Sequence, residues 1–212
     1  MFSRSAAIFF STSLLGEAIA QIIVGACAAE GIHKKSPEEK TLNRPPQILE
    51  TPRLILREFS GDDTDALGSV LSDPETMRFY PAPLDRAGVE EWIARNRRRY
   101  AKDGHGLWAM ILKTNGELIG DCGLTVQSVD STDEIEIGYH VRRDLWGQGL
   151  ATEAARACCD YGFAYLPVDH LISLIRPENL PSRRVAEKNG MTIWKEVIRK
   201  SIPHLVYSIR RR

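Results

Sequence analysis
The sequence predicts one mixed α/β domain, a twisted, mainly antiparallel sheet of about six to seven strands flanked by about four helices. Three observations predict it. Asn115-Gly116 separates two strand-like runs, 107–112 and 117–129, a strong hairpin signal, and a polar turn over 130–133 leads to a third strand at 134–141. Within 133–152, Ile135, Ile137 and Tyr139 alternate with Glu134, Glu136 and Gly138. The alternation then gives way to a loop holding Gly147 and Gly149, and an Ala-rich helical run begins near Leu150. After that helix come a strand at 171–175, another helix and a closing hairpin.

In chain order, residues 1–29 are apolar and small, with Arg4 near the start and a run over 6–15 that resembles a signal h-region. Glu17 and Gln21 interrupt the apolar span, which disfavours a transmembrane helix. Export, an organelle leader and a misassigned extension stay open as readings of this segment. Residues 30–46 are charged and carry Pro37, Pro45 and Pro46, so they read as a linker. The segment 1–46 is therefore set apart from a folded domain over 47–212. Its first strand spans 48–59, with Leu54 and Leu56 set against Arg53 and Arg57 and with Thr51-Pro52 suiting an edge. Asp62 or Asp63 caps a short helix through Leu71, which Asp73-Pro74 ends. Asp85 caps a helix to about Lys102 with Val89, Trp92, Ile93 and Tyr100 as its apolar stripe, which leaves its arginines outward on a solvated face. Beyond the glycine loop, Ala154, Ala155, Ala157 and Cys158 let a helix over 151–166 pack closely on a sheet, and Pro167 stops it. Asn179 caps a helix over 179–189 that ends at Gly190, and strands over 191–197 and 201–209 close the domain.

Basic and acidic residues balance at 28 each in 212 residues, so net charge points to neither nucleic acid nor an anionic membrane. Cys27, Cys122, Cys158 and Cys159 show neither C-x-x-C spacing nor a paired histidine. That argues against a zinc site and for a reducing, cytoplasmic setting. His105 and His140 stand alone in sequence and read as structural. Two glycines ahead of a helix start let backbone approach a ligand, and the unpaired amides of the first helical turn favour an anion. Gly149-Leu150-Ala151 lacks the Lys and Ser/Thr of a P-loop, and an antiparallel meander is the wrong lead-in for a dinucleotide fold. What remains is an anion site followed by a second helix start that carries Asn179 and Ser182.

Four blocks in register resemble the GCN5-related N-acetyltransferase superfamily, and within it the ribosomal-protein N-terminal acetyltransferases. They are Thr51-Pro52-Arg53-Leu54, Glu136-Ile137-Gly138-Tyr139, Trp146-Gly147-Gln148-Gly149-Leu150-Ala151-Thr152-Glu153-Ala154, and the run from Asn179 through Ser182 to Gly190-Met191. Trp146 stands where the superfamily commonly has Gln or Arg, a marker of that branch. The resemblance implies acetyl-CoA as co-substrate, no metal, and a sheet that splays after the Glu136 strand. Backbone groups of Tyr139 and Val141 would pair with the pantetheine arm. The amides of Gly147, Gln148, Gly149, Leu150, Ala151 and Thr152 would hold the pyrophosphate, and Asn179 would sit beside the thioester. Glu136 is the candidate base, its pKa raised by partial burial, and Ser182 the candidate acid for the thiolate, with Tyr139 as an alternative. Phe79 and Tyr80 would line the acceptor site. No cysteine suits a covalent intermediate, so transfer is direct to a primary amine. The branch favours a protein or peptide N-terminus. A small-molecule amine acceptor or a non-catalytic acyl-CoA sensor are the alternatives.

Overall fold
A computed structural model describes residues 47–211, the side chain of Gln47 excepted; the leader and linker read over 1–46 lie outside the described residues. The eight described strands are β1 (Gln47–Glu50), β2 (Leu54–Arg57), β3 (Leu107–Leu112), β4 (Leu118–Val129), β5 (Thr132–Val141), β6 (His170–Ile175), β7 (Thr192–Arg199) and β8 (Ile202–Arg210). They form one sheet in the order β1-β2-β3-β4-β5-β6-β8-β7. The described α-helices are α1 (Thr64–Leu71), α2 (Arg86–Asp103), α3 (Leu150–Tyr165) and α4 (Leu180–Lys188).

The predicted meander is present. Asn115 Oδ1 accepts from the Glu117 amide at 3.1 Å and Gly116 adopts φ 74°, which turns β3 into β4. The next turn is tighter than the 130–133 expected. Asp130 and Ser131 both take positive φ (49° and 66°), the geometry of a two-residue hairpin turn, so β5 starts at Thr132. One predicted strand divides in two. The Thr51 amide donates to the Leu54 carbonyl (2.9 Å) and the Leu54 amide to Thr51 Oγ1 (3.0 Å), closing a turn with Pro52 at its second position. β1 therefore folds back antiparallel on β2, which makes eight strands where about six to seven were expected. Ahead of α1, Asp63 does not cap the helix with its side chain. It closes a turn with Ser60 and makes a two-pronged ion pair with Arg57 at 2.7 and 2.8 Å.

Two layers of helix bury the two sheet faces. α1 and α2 lay Leu67, Val70, Leu71, Val89 and Ile93 over one face against Ala109 and Leu118. α3 covers the other with Leu150, Ala154, Ala155 and Cys158 against Cys122, Leu124, Ile137 and Leu171. That contact is close: a β-carbon on Gly162 would lie 2.9 Å from Leu171 Cδ1 and 3.2 Å from Leu124 Cδ1. α4 packs Ala186 against Ile175, Leu205 and Tyr207, and the Arg156 guanidinium of α3 donates to the Lys188 carbonyl at its end (3.0 Å).

The pairing between β5 and β6 positions the site. Every other pairing in the sheet is antiparallel; this one is parallel and holds a single register pair, Glu136 with Ile172. β5 stays paired to β4 as far as Val141, so beyond Glu136 one edge of β5 opens away from β6 as a wedge.

Candidate active site
The glycine loop closes the wide end of the wedge. Gly147 and Gly149 adopt φ 78° and 80°, and Gly149 stands as the N-cap of α3 with no side-chain cap. Among the described residues, nothing accepts a hydrogen bond from the amides of Gly147 to Thr152. Six donors at the positive end of a helix form an anion cradle. Trp146 fastens the loop to the sheet, its indole N–H donating to the Val141 carbonyl at 2.7 Å. The tryptophan thus acts as a strap, and the Val141 carbonyl already has one donor.

A clamp that the sequence did not disclose holds α3 to the turn between β1 and β2. Glu153 accepts from the Thr51 hydroxyl (2.6 Å), the Arg53 amide (2.9 Å) and the Arg53 guanidinium (2.6 Å). Burial raises the Glu153 pKa, but these bonds outweigh it and hold the carboxyl below its usual value. Arg53 also donates to the Gln148 carbonyl at 2.9 Å, and its other guanidinium nitrogen lies 3.6 Å from where a β-carbon on Gly149 would stand. Both partners fell within the motif blocks, which gave no hint that they meet.

On the α3 side of the wedge the structure brings Tyr139, Asn179 and Ser182 together. Asn179 Oδ1 accepts from the Ser182 amide at 3.2 Å, the cap expected. The Tyr139 hydroxyl donates to the Ser182 carbonyl at 2.9 Å and meets Ser182 Oγ at 2.9 Å. With its one proton committed to the carbonyl, the tyrosine oxygen accepts from the serine hydroxyl. The two candidate acids are therefore one hydrogen-bonded pair. Burial raises the Tyr139 pKa, which keeps it protonated at neutral pH.

Glu136 occupies the opposite face, where β5 and β6 part. Its Oε1 accepts from the Leu174 amide of β6 at 3.3 Å, taking up a donor that strand pairing has released. Oε2 meets Thr125 Oγ1 at 3.5 Å. Burial raises its pKa, opposed by the Leu174 amide and then by the charges of Arg199 and Arg99.

Further along this face lies a chain of polar groups that sequence reading missed. His140 Nδ1 bonds the fully buried Asp121 Oδ1 at 2.7 Å, and its Nε2 bonds the Tyr80 hydroxyl at 2.7 Å. Asp121 Oδ2 accepts from the Trp92 indole at 2.9 Å. With Asp121 accepting on both oxygens, a neutral His140 donates from Nδ1 and receives the Tyr80 proton at Nε2. The signal was in the register: Asp121 stands directly across from His140. Tyr80 lies on the loop between α1 and α2, 42% exposed, with its hydroxyl turned to His140. Phe79 turns instead between the guanidiniums of Arg78 and Arg176, 4.7 and 5.9 Å from its ring centre. His105 is structural, with Nδ1 on the Leu124 carbonyl at 2.9 Å.

The site sets an opened sheet edge and an enclosed carboxylate beside unpaired amides at the positive end of a helix. Comparison with known proteins gives the family. The model for the acetyltransferase (GNAT) domain matches residues 53–192, and the chain belongs to that family. It is similar to uncharacterized protein YkkB of Bacillus subtilis (strain 168), 39% identical over 160 residues that cover 75% of this chain and 93% of that protein. It is 30% identical over 152 residues to the uncharacterized N-acetyltransferase p20 of Bacillus licheniformis, covering 71% of this chain and 84% of that one. A solved GNAT-family acetyltransferase from Bacillus anthracis superposes with a TM-score of 0.66 at 25% identity, over 76% of this chain and 97% of its own. The protein is an acetyl-CoA-dependent N-acetyltransferase. No helix among the described residues is long and apolar enough to cross a membrane.

Proposed function
We propose that residues 47–212 form the transferase domain and move the acetyl group of acetyl-CoA directly to the primary amine of a protein or peptide N-terminus, in the cytoplasm that its unpatterned cysteines suit. The observation that carries the reading is the parting of β5 from β6 at Glu136. It leaves a carboxylate on one face of the opening and the Ser182–Tyr139 pair on the other.

The cradle of free amides from Gly147 to Thr152, with Arg53 beside it, suits the pyrophosphate of the donor. The open edge of β5 at Tyr139 and Val141 offers backbone groups to the pantetheine arm, and Asn179 holds the start of α4 near the thioester. Glu136 takes a proton from the acceptor ammonium, directly or through one water, and the freed nitrogen attacks the thioester carbonyl carbon. As the C–S bond breaks, the Ser182 hydroxyl turns from the Tyr139 oxygen to give its proton to the leaving sulfur, the Tyr139 proton passes from the Ser182 carbonyl to the serine oxygen, and solvent reprotonates Tyr139. The acid is placed to work only if it stays neutral until the thiolate forms, and the burial of Tyr139 supports that.

The test is thiol release by the full chain with acetyl-CoA over a panel of peptides, amino acids and polyamines. Acetylation at a peptide α-amine supports the assignment. Turnover confined to small amines would move the acceptor class, and binding of acetyl-CoA without turnover of any acceptor would overturn the catalytic reading.

A further inference from the structure
The helix α2 was expected to present its arginines to solvent, and Arg86, Arg95, Arg97 and Arg98 are exposed as expected while Arg99 is half-buried. Arg86 pairs with Asp65 and with Glu90, and Arg98 with Glu91. Arg95 and Arg99 have no carboxylate within ion-pair distance among the described residues. They follow Trp92 at helical spacing, on the face that Trp92 pins to Asp121 through its indole N–H at 2.9 Å. The Arg95 guanidinium lies over the Trp92 ring, 4.6 Å from its centre, and Arg99 reaches the buried Asn96 Oδ1 at 3.3 Å. Two like charges one helical turn apart repel each other. Partial burial and the neighbouring Arg95 lower the Arg99 pKa.

A third guanidinium approaches from the far side of the site. Arg199 donates to Gln127 Oε1 at 3.0 Å, Gln127 Nε2 donates to Thr125 Oγ1 at 3.3 Å, and Thr125 Oγ1 meets the Glu136 carboxylate at 3.5 Å. Both Arg99 and Arg199 act electrostatically on Glu136. The other carboxylates on this face are engaged, Asp121 by His140 and Trp92 and Glu134 by His170, whose Nε2 lies 2.8 Å from it. Arg99 and Arg199 thus both act on Glu136, and Arg95, one helical turn from Arg99, acts on the neighbouring Tyr80, in a protein whose charges balance overall. A cleft so charged repels a polycationic amine and draws in an anion.

We infer that the acceptor is an amine that also carries a carboxylate or phosphate, its anionic group held by Arg95 and Arg99 of α2 with Arg199 of β7 while its amino group faces Glu136. The inference rests on the proposed acetyl transfer at Glu136 and narrows its substrate class. An acidic peptide N-terminus and a small amino acid share this chemistry.

The experiment uses the full chain, saturating acetyl-CoA and matched acceptors: a peptide with two acidic residues after its N-terminal serine against its asparagine–glutamine counterpart, and glutamate against its diamide. The acidic member of at least one pair is expected to show a kcat/KM at least tenfold higher, chiefly through KM, with the preference shrinking as salt rises. Whether the peptide pair or the small pair shows it identifies the source. Arg95→Gln with Arg99→Gln is expected to abolish the preference while leaving the affinity for CoA unchanged. Equal turnover of acidic and neutral acceptors, or a higher rate with a polyamine, overturns the inference and leaves acetyl transfer standing. If no acceptor turns over, calorimetric binding of the same pairs to CoA-saturated protein decides separately. A tenfold preference for the acid that the double variant loses sustains the anion subsite although the catalytic reading fails, and no preference overturns it.

Discussion
Glu136→Gln is the most informative substitution, because the structure predicts that it changes chemistry and little else. The glutamine oxygen can still accept from the Leu174 amide, now 3.3 Å from Oε1, and its amide group can donate to Thr125 Oγ1, now 3.5 Å from Oε2. The cost to folding is therefore within about 1 kcal/mol. The cost to the rate is that of a general base, about 10²–10⁴-fold at pH 7, or roughly 2.7–5.4 kcal/mol at 1.36 kcal/mol per tenfold. Burial raises the Glu136 pKa above its ordinary 4.5. The base is therefore active only above that raised value, and kcat/KM should rise with pH through it. The same shift has a stability consequence of known sign. A carboxyl whose folded pKa is raised contributes stability below its unfolded pKa and loses it as pH rises through the folded one, so the variant should gain on the wild type toward neutral pH. The assay is thiol release from pH 5 to 9, with calorimetry for acetyl-CoA affinity, which should not change because the amide cradle lies elsewhere. A rate within threefold of wild type, with the acidic limb of the profile intact, would refute the assignment of the base.

Other consequences follow from the same geometry. Ser182→Ala should lower kcat about 10²-fold with KM for acetyl-CoA unchanged, and Tyr139→Phe should lower it less; a double variant no worse than Ser182→Ala would show the pair acting as a unit, and unchanged rates in both would remove the acid role. Glu153→Gln should cost about 1–2 kcal/mol at neutral pH, a figure reduced for solvent screening because the Arg53 side chain is 44% exposed. The Glu153 pKa is depressed from 4.5, so that difference should be full above about pH 4.5 and fade as pH falls through the folded value, as denaturant midpoints of the two proteins from pH 3 to 7 will show. Leu171→Ala, at a fully buried contact with α3, should cost about 2–5 kcal/mol and lower Tm by roughly 5–15 °C.

Legibility in the sequence followed the range of each interaction. The Asn115-Gly116 hairpin, the Asp85 and Asn179 caps and the glycine loop are decided by residues within a turn of one another, and all are where local chemistry puts them. The break between β1 and β2 was missed because the apolar alternation runs straight through Thr51-Pro52, and only the side-chain bond to the Leu54 amide turns the chain back. The grouping of Asp121, His140 and Tyr80 depends on cross-strand register and on where a loop lands, which spacing along one strand does not contain. Arg99 illustrates the same limit on a helix. Its position is predictable to within a face, but which face meets the sheet is settled by Trp92 finding Asp121, 29 residues away. The Thr51–Arg53–Glu153 clamp joins two motif blocks about 100 residues apart and explains why both accompany the loop.

The measurement closest to the central claim is calorimetric titration of the full chain with acetyl-CoA, repeated on Gly149→Val. Gly149 sits at φ 80°, a conformation that costs a β-branched residue about 1–2 kcal/mol or more, and its backbone must keep the cradle open. The account predicts one-to-one binding that weakens at least tenfold in the variant while the fold survives. Absence of binding to the wild type, or binding that valine leaves untouched, would contradict it.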